Sequence, residues 1–504
     1  MKKNPDAQPA TAPRSSRGCL IYGLIGLVGF PMLLIGGSLL FVTVRDSGAN
    51  SKVDQMKADL VAKGLPVDDD TLSKYYDKLA SEEHTKEWME LIAGSDSDEI
   101  NAACQGVAVV GVDGGEIPVS PEDDPALKSA GNSGESSDAN AESSETDSGY
   151  GAEGEPTWDQ QKVRDFLALT SELRSRAEVA ALRQLKPDAK PVRFQVQFNG
   201  IETLLEHAQQ MRQLARIIVI QGQVAVYDRD SDATKRSIQT LVGCSRTLEG
   251  EPMLVSQLVR IAVRMLSVDL LHRALEQDVL TEQDLAALLP LVLQGAKISP
   301  TWYVAHHGER CVYLPIAEGK SSGATADVRW IPFRGKDKEL YMEINEALVN
   351  VSLSDLDAFR DEMIRQEDKI TSASSGGPVA MFDNLLTSML APATAAAADA
   401  WIREAMNHQI AALAIGIKLH EIRTGEFPKN LEQLKALDIK GADWNPAELQ
   451  PVGGKPYGYE VDDDGAHLWG FSTRNHSETP KTRPTEDLTM EMESWLWDIP
   501  SSKK

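Results

Sequence analysis

The chain has 504 residues and a net charge of −25, with 76 acidic against 51 basic side chains. Residues 1–45 carry five Lys/Arg and one acid, which leaves a net charge of −29 on the rest of the chain. So acidic a protein repels phosphate backbones, and the composition therefore argues against nucleic-acid binding. The length allows two or three ordinary domains.

An uncharged segment from Gly18 to Val44 dominates the N-terminal region. As a helix it is longer than the roughly 30 Å hydrocarbon core of a bilayer, and it is far longer than the apolar run of a cleaved signal peptide. Basic residues precede it and a strongly acidic chain follows. The positive-inside rule predicts a cytoplasmic basic tail (1–17), a single uncleaved transmembrane helix (18–44) and a periplasmic ectodomain anchored in the inner membrane.

The first part of the predicted ectodomain, residues 45–112, has apolar residues at helical spacing. Residues 113–157 differ sharply, because they hold twelve acids, one base and almost no large apolar side chain. Such a composition buries too little surface to offset the entropy of ordering, and it predicts a disordered acidic insertion.

Residues 158–370 are predicted to form the helical body. An apolar stripe on one of its helices is predicted to include Ile201 and Leu204, and Thr281 with Asp284 predicts a weak capping box at the start of another. Alternating apolar residues over 192–198 indicate either a lone strand or an extended connector. The predicted helix 252–276, with Pro252 in its first turn, is apolar nearly all round and therefore an inner helix. Its polar side chains follow one line, formed by Gln257, Arg260, Arg264 and Ser267.

Residues 371–394 are predicted to be a linker, and 395–504 a long helix followed by a small sheet. Gly425 is placed to end the long helix in a left-handed conformation, with Phe427 and Leu431 folding back on it. Alternating residues on both sides of Asp462–Gly465 predict a hairpin, and the Trp-rich stretch 495–499 a third strand. The predicted fold is mainly α: a transmembrane helix, a helical-hairpin bundle and an antiparallel sheet packed on a long helix.

Two stretches carry a resemblance. Residues 215–275 and the tail, LAIGIKLHEIRTGEFPKNLEQLKAL over 413–437 with GKPYGYEVDDDGAHLWGFS over 454–472, resemble a group of uncharacterised bacterial envelope proteins. That group has one N-terminal span, a helical middle and a closing G-x-[FY]-P-x-x-L-x-x-L element. The resemblance implies an architecture and a location but no activity.

The tail is also similar to the globular region of type II secretion major pseudopilins. The shared features are a long helix, the G-x-[FY]-P turn, the L-x-x-L pair and a small sheet. In pseudopilins the long helix continues directly from the membrane segment, whereas here some 350 residues separate the two. Pseudopilins also carry a glutamate five residues after the processed glycine, and at that distance from Gly18 this chain has Gly23.

The best metal-like group is His306, His307 and Cys311 in WYVAHHGERC. Zinc needs three or four ligands at one point, and adjacent histidines rarely both reach it, so a surface helix or loop with Glu309–Arg310 packing is the favoured interpretation. The ectodomain cysteines, Cys104, Cys244 and Cys311, are odd in number and lack the spacing of a disulfide framework, although one bridge is open to them.

Two charged groups have a functional and a structural interpretation. Asp462, Asp463 and Asp464 suit calcium, but no glutamate follows Gly465 at the spacing that an EF-hand needs, so a solvated turn is favoured. Arg260 and Arg264 suit an anion or a partner acid, and a salt-bridged polar seam is the favoured alternative. No nucleophile elbow, P-loop or dinucleotide motif occurs, and the sequence assigns no catalytic, cofactor or metal residue.

Three functions remain open from the sequence. The leading one is a membrane-anchored envelope protein whose ectodomain is a non-catalytic interaction or scaffold module for an unidentified envelope protein. The second is a secretion-system or pseudopilin-like component, and the third is an unrecognised hydrolase. A deep pocket with converging His, Asp or Glu would favour the hydrolase, and an apolar helical face would favour the scaffold.

Overall fold

The structure is a computed structural model that describes residues 47–104, 107, 159–318, 335–377, 380, 384–439, 442, 444–453, 456–471, 483 and 494–502. The predicted span at 18–44 and the predicted acidic insertion at 113–157 lie outside these residues. Within them, no helix is both long enough and apolar enough to cross a bilayer.

The described chain is mainly helical. Side-chain caps fix several helix starts: Asp68 and Thr281 close capping boxes with Thr71 and Asp284, as the sequence predicts for Thr281. The helices are α1 (Ser47–Ala62), α2 (Asp69–Leu79), α3 (Thr85–Ser95), α4 (Asp98–Cys104), α5 (Gln160–Leu169), α6 (Ser171–Gln184), α7 (Glu206–Tyr227), α8 (Ser231–Thr247), α9 (Leu254–Glu276), α10 (Glu282–Leu293), α11 (Thr301–Ala317), α12 (Gly335–Asn350), α13 (Leu356–Ser374) and α14 (Leu385–Thr424).

Helix α9 lies inside the body, as its apolar circumference predicts. It packs against α7, α8, α11 and α14 and against the C-terminal sheet. Even its polar line, including Arg260 and Arg264, is buried. The largest apolar cluster therefore joins the helices on both sides of α9 to α14 and the sheet.

The C-terminal region has the predicted helix-and-sheet architecture. Helix α14 ends at Gly425, whose φ of 80° and ψ of 5° are the left-handed cap that the sequence predicts. Phe427 and Leu431 then pack against the main apolar cluster. Strands β1 (Gly458–Val461), β2 (Gly465–Phe471) and β3 (Ser494–Pro500) form an antiparallel sheet in the order β1-β2-β3.

Several predicted boundaries differ from the observed ones. Helix α14 begins at Leu385, so much of the predicted 371–394 linker is helical; the alanine-rich chain that follows favours helix throughout. Helix α7 begins at Glu206, and Ile201 and Leu204, predicted on its buried stripe, are exposed. Pro252 lies before the start of α9 because Met253 is the N-cap residue.

The 192–198 stretch is an extended connector, with one isolated bridge from Val192 to Ser81. Alternate residues Val192, Phe194 and Val196 are buried, so the period-two pattern records burial on one face without a sheet. The Tyr76 hydroxyl bonds backbone groups that a neighbouring strand would bond in a sheet. It donates to Val192 O at 3.1 Å and accepts from Phe194 N at 3.1 Å.

Candidate functional site

The HHGERC stretch, predicted on a surface, lies in the buried part of α11. His306 is 3 % exposed, and its ring contacts Trp302 with centroids 4.1 Å apart. Arg310 is also buried, and its guanidinium donates to Pro66 O and to Asn345 Oδ1 at 2.7–3.1 Å. Charged residues in sequence suggested solvent, but a backbone carbonyl and an amide satisfy this arginine inside the body.

The three metal-like side chains point to different surroundings. His307 packs edge-on against Tyr75 at 5.5 Å, whereas His306 packs on Trp302. Cys311 packs with Leu72 and Met253. In the described part of the chain, no three His, Cys, Asp or Glu side chains lie close enough together to hold a metal ion. Cys104, Cys244 and Cys311 are free thiols.

Gly308, in the middle of this polar stretch, lies against the backbone of another segment. A Cβ at this position would lie 1.5 Å from Pro252 O. The missing side chain therefore lets the segment that leads into α9 lie directly on α11. No local pattern in the sequence signals this close approach, because Pro252 is more than fifty residues away from Gly308 in the chain.

A cavity lies next to His306, between α11, α12, α13 and α14. Its volume is about 40 Å³, and a buried water needs roughly 10–15 Å³ of such volume. It therefore has room for about three waters, and a peptide or sugar substrate does not fit. The lining residues are Leu254, His306, Glu309, Tyr341, Ile344, Asn345, Leu348, Ile370, Thr387 and Thr394.

The polar end of this cavity holds groups in unusual states. Burial lowers the pKa of His306 to about 3, with His307 and Arg310 adding to the effect. His306 Nε2 is buried without a hydrogen-bond partner. Burial raises the pKa of Glu309 to about 7, and its Oε1 accepts only a long 3.4 Å bond from Leu254 N.

The polar line of α9 forms a seam with α14. Arg260 donates from both terminal nitrogens to the two carboxylate oxygens of Glu404 at 2.7 Å. Burial works to raise the pKa of Glu404, but Arg260, His408 and Arg264 together outweigh it and the pKa is lowered. Arg264 donates to His408 Nε2 at 3.2 Å and to Leu291 O at 2.8 Å. The seam interpretation of these arginines therefore fits their contacts.

A buried Ser–Glu–His group near the start of α7 does not have the geometry of a hydrolase triad. His207 Nε2 lies 2.6 Å from Glu251 Oε2. The Ser256 hydroxyl donates to the other oxygen of Glu251 and not to His207. A triad needs the histidine between the serine and the acid, whereas here the acid lies between the other two.

The acidic turn at the sheet is occupied by protein contacts. Asp462 accepts bonds from the backbone N–H groups of Asp464 and Gly465. His467 Nε2 lies 2.9 Å from Asp462, and these contacts lower the pKa of that carboxyl to about 2. The favoured interpretation as a solvated turn agrees with this arrangement.

Three exposed aliphatic side chains lie on two segments, one before the start of α7 and one at the start of α9. Leu204 is 74 % exposed, Ile201 57 % and Val255 50 %. The contact between His207 and Glu251 brings the two segments together, and their neighbours Leu205 and Met253 share one buried cluster. We call Ile201, Leu204 and Val255 the aliphatic patch.

The fold and these sites define a mainly helical protein with a small C-terminal antiparallel sheet. Comparison with protein-family models, with curated proteins and with solved structures finds no match.

Proposed function

We propose that this chain is a single-span membrane protein of the bacterial envelope, whose exported helical body is a non-catalytic module that binds another envelope protein. The 18–44 segment supplies the anchor, and the basic residues before it hold the N-terminus in the cytoplasm. Inner-membrane location follows from the same charge asymmetry. The resemblance to uncharacterised bacterial envelope proteins implies the same location.

The observation that supports a binding role is the aliphatic patch. Three aliphatic side chains at least half exposed on adjoining segments are the kind of surface that a partner covers. Leu204 stands out, because a leucine 74 % exposed gains about 2 kcal/mol when fully buried. The buried side chains that resemble a binding or catalytic site bond to other residues of the helical body: Arg260 and Arg264 in the seam, and His207 with Ser256 at Glu251.

The charges beside the aliphatic patch favour a partner of stated chemistry. Asp69 accepts a bond from Gly200 N, next to Ile201, and Asp70 follows it in sequence. Glu206 is exposed directly after Leu205. An apolar segment with basic flanks complements this surface, and electrostatic attraction would speed its association.

The test is site-specific photocrosslinking in intact cells. A photoreactive residue at position 204 or 255 is expected to give one discrete crosslinked product. The same residue at Val179, which is 57 % exposed on α6, is the matched control and is expected to give none. Leu204→Asp should abolish the product made from position 255, and Val179→Asp should leave it. Equal crosslinking from the patch and from position 179 would contradict the binding surface.

The second candidate is a pseudopilin-like component of a secretion system. It is supported by the left-handed cap at Gly425, the return of Phe427 and Leu431 and the sheet packed on α14. Assembly into a pilus requires processing before the span and self-association. An N-terminus that remains intact in the membrane fraction would exclude it and leave the scaffold proposal standing.

A further inference from the structure

The cavity beside α11 has a polar end and an apolar end. His306 and Glu309 are three residues apart on one helix, a spacing that places both side chains on the same face. Ile344, Leu348 and Ile370 line the other end. A second cavity of about 10 Å³ is adjacent, because it shares these three residues and Thr394; its other lining residues are Met363, Gln366, Glu367 and Ala395.

Two polar groups at the first end lack adequate partners. His306 Nε2 is buried and unbonded, which costs stability unless a ligand or water bonds it. Glu309 accepts one long hydrogen bond, from Leu254 N, and among the residues that the structure describes no Lys or Arg forms an ion pair with it. Its neighbour Arg310 donates to Pro66 O and to Asn345 Oδ1, and not to the Glu309 carboxylate. A partly buried carboxylate with so few hydrogen-bond donors favours a cation.

We propose that this cavity binds a small primary ammonium ion, from ammonium itself to a short alkylammonium, with the charged nitrogen between Glu309 and His306. The N–H groups donate to the Glu309 carboxylate and to the neutral His306 ring. Tyr341 also lines this cavity. An alkyl group extends along Ile344, Leu348 and Ile370. This site is separate from the aliphatic patch and does not depend on the proposed partner.

The size of the cavity sets the limit on the ligand. The first cavity has room for about three waters and the second for about one. An ammonium ion with a chain of two or three carbons on its nitrogen fits in this space. Tetramethylammonium lacks an N–H donor and has no hydrogen bond to offer His306. Potassium is close to ammonium in size and charge but has no N–H donors. A comparison of the two ions therefore shows whether binding needs hydrogen bonds as well as charge.

The test is the melting temperature of the full-length protein in detergent at pH 8, measured by tryptophan fluorescence at constant ionic strength. Replacing sodium chloride by ammonium or ethylammonium chloride at ten times the dissociation constant is expected to raise it by about 1–2 °C. Tetramethylammonium and potassium are expected to match sodium. Glu309→Gln should remove the response, while Glu346→Gln, an exposed acid on α12, should keep it.

Each other result overturns the proposal. A response of equal size to potassium would mean that charge alone is sensed, and one to tetramethylammonium would mean a surface salt effect. An ammonium response that persists in Glu309→Gln would place the binding elsewhere. No response in the wild type, with normal melting of both variants, would mean that the cavity holds only water.

Discussion

At the scale of single residues, Gly308 controls how α9 meets α11. Gly308→Ala puts a methyl group on Pro252 O, a backbone atom that moves only with its whole segment. We expect a loss of at least about 3 kcal/mol in unfolding free energy, in the upper range of overpacking effects. Chemical denaturation measures it. Gly48→Ala, which meets no atom within 4 Å, is the control, and equal stability of the two variants would contradict the close approach.

Gly425 tests the C-terminal cap. Gly425→Val forces a β-branched residue to a φ of 80°, and we expect a cost of about 1–2 kcal/mol. Phe427 is only half-buried, so Phe427→Ala should cost roughly 2 kcal/mol, less than the loss of a fully buried ring. Thermal melts of both variants give these values. Wild-type melting of both would mean that the tail does not pack on α14.

Glu309 gives a pH signature. Its pKa is about 7 in the folded protein and about 4.5 when exposed, so the folded state holds the proton more tightly. The contribution of Glu309 to the free energy of unfolding therefore falls as the pH rises from about 4.5 to 7, and above that it stays constant. Glu309→Gln should be more stable than wild type by roughly 1–3 kcal/mol at pH 8 and equal to it near pH 4.

The difference in unfolding free energy between Glu309→Gln and wild type cancels the pH dependence of the other titratable groups, because both proteins contain them. His306, which faces the same cavity, has a pKa lowered to about 3, so its own contribution rises with pH. Arg310 stays charged throughout this range. Denaturant titrations at several pH values decide the matter: a stability difference that does not change between pH 4 and pH 8 would mean that Glu309 is solvated.

At the scale of elements, the Arg260–Glu404 pair ties α9 to α14. Arg260→Leu leaves a buried carboxylate alone and is expected to cost about 3–5 kcal/mol, whereas Arg260→Leu with Glu404→Leu should cost much less. The exposed pair Arg176–Glu90 is the control, and its removal should cost under about 1 kcal/mol. A double-mutant cycle measures both couplings; a weak coupling at Arg260 would mean that water enters the seam.

The elements that the sequence predicted well are those whose signals are local. The apolar circumference of α9, the capping box at Thr281 and the glycine cap at Gly425 all lie within a few neighbouring residues. The alternating stretch 192–198 shows the limit of such signals. Its period of two was correct for burial, but a local pattern does not tell whether a neighbouring strand exists.

The candidate sites depend on residues far apart in the chain, and for that reason they were missed. Glu404 lies 144 residues from Arg260, so the polar line on α9 indicated a pair without naming the partner. Glu309 looked like half of a surface pair because Arg310 follows it. Its true surroundings come from α12, α13 and α14, and only the folded body brings these helices to the cavity.

For the whole molecule, the proposed function requires a membrane anchor and a helical body on the exported side of the membrane. The 18–44 segment, uncharged and preceded by basic residues, predicts an exported C-terminus. This location decides which partners meet the aliphatic patch, because only envelope proteins or exported segments reach it there.

A pair of reporter fusions after Lys504 tests this claim most directly: one reporter is active only when exported, the other only in the cytoplasm. We expect activity from the exported reporter alone, in the membrane fraction. Deleting residues 18–44 should reverse the pattern, since no other segment is proposed to direct export. Cytoplasmic activity of the full-length fusion would contradict the anchored, exported body and the function proposed for it.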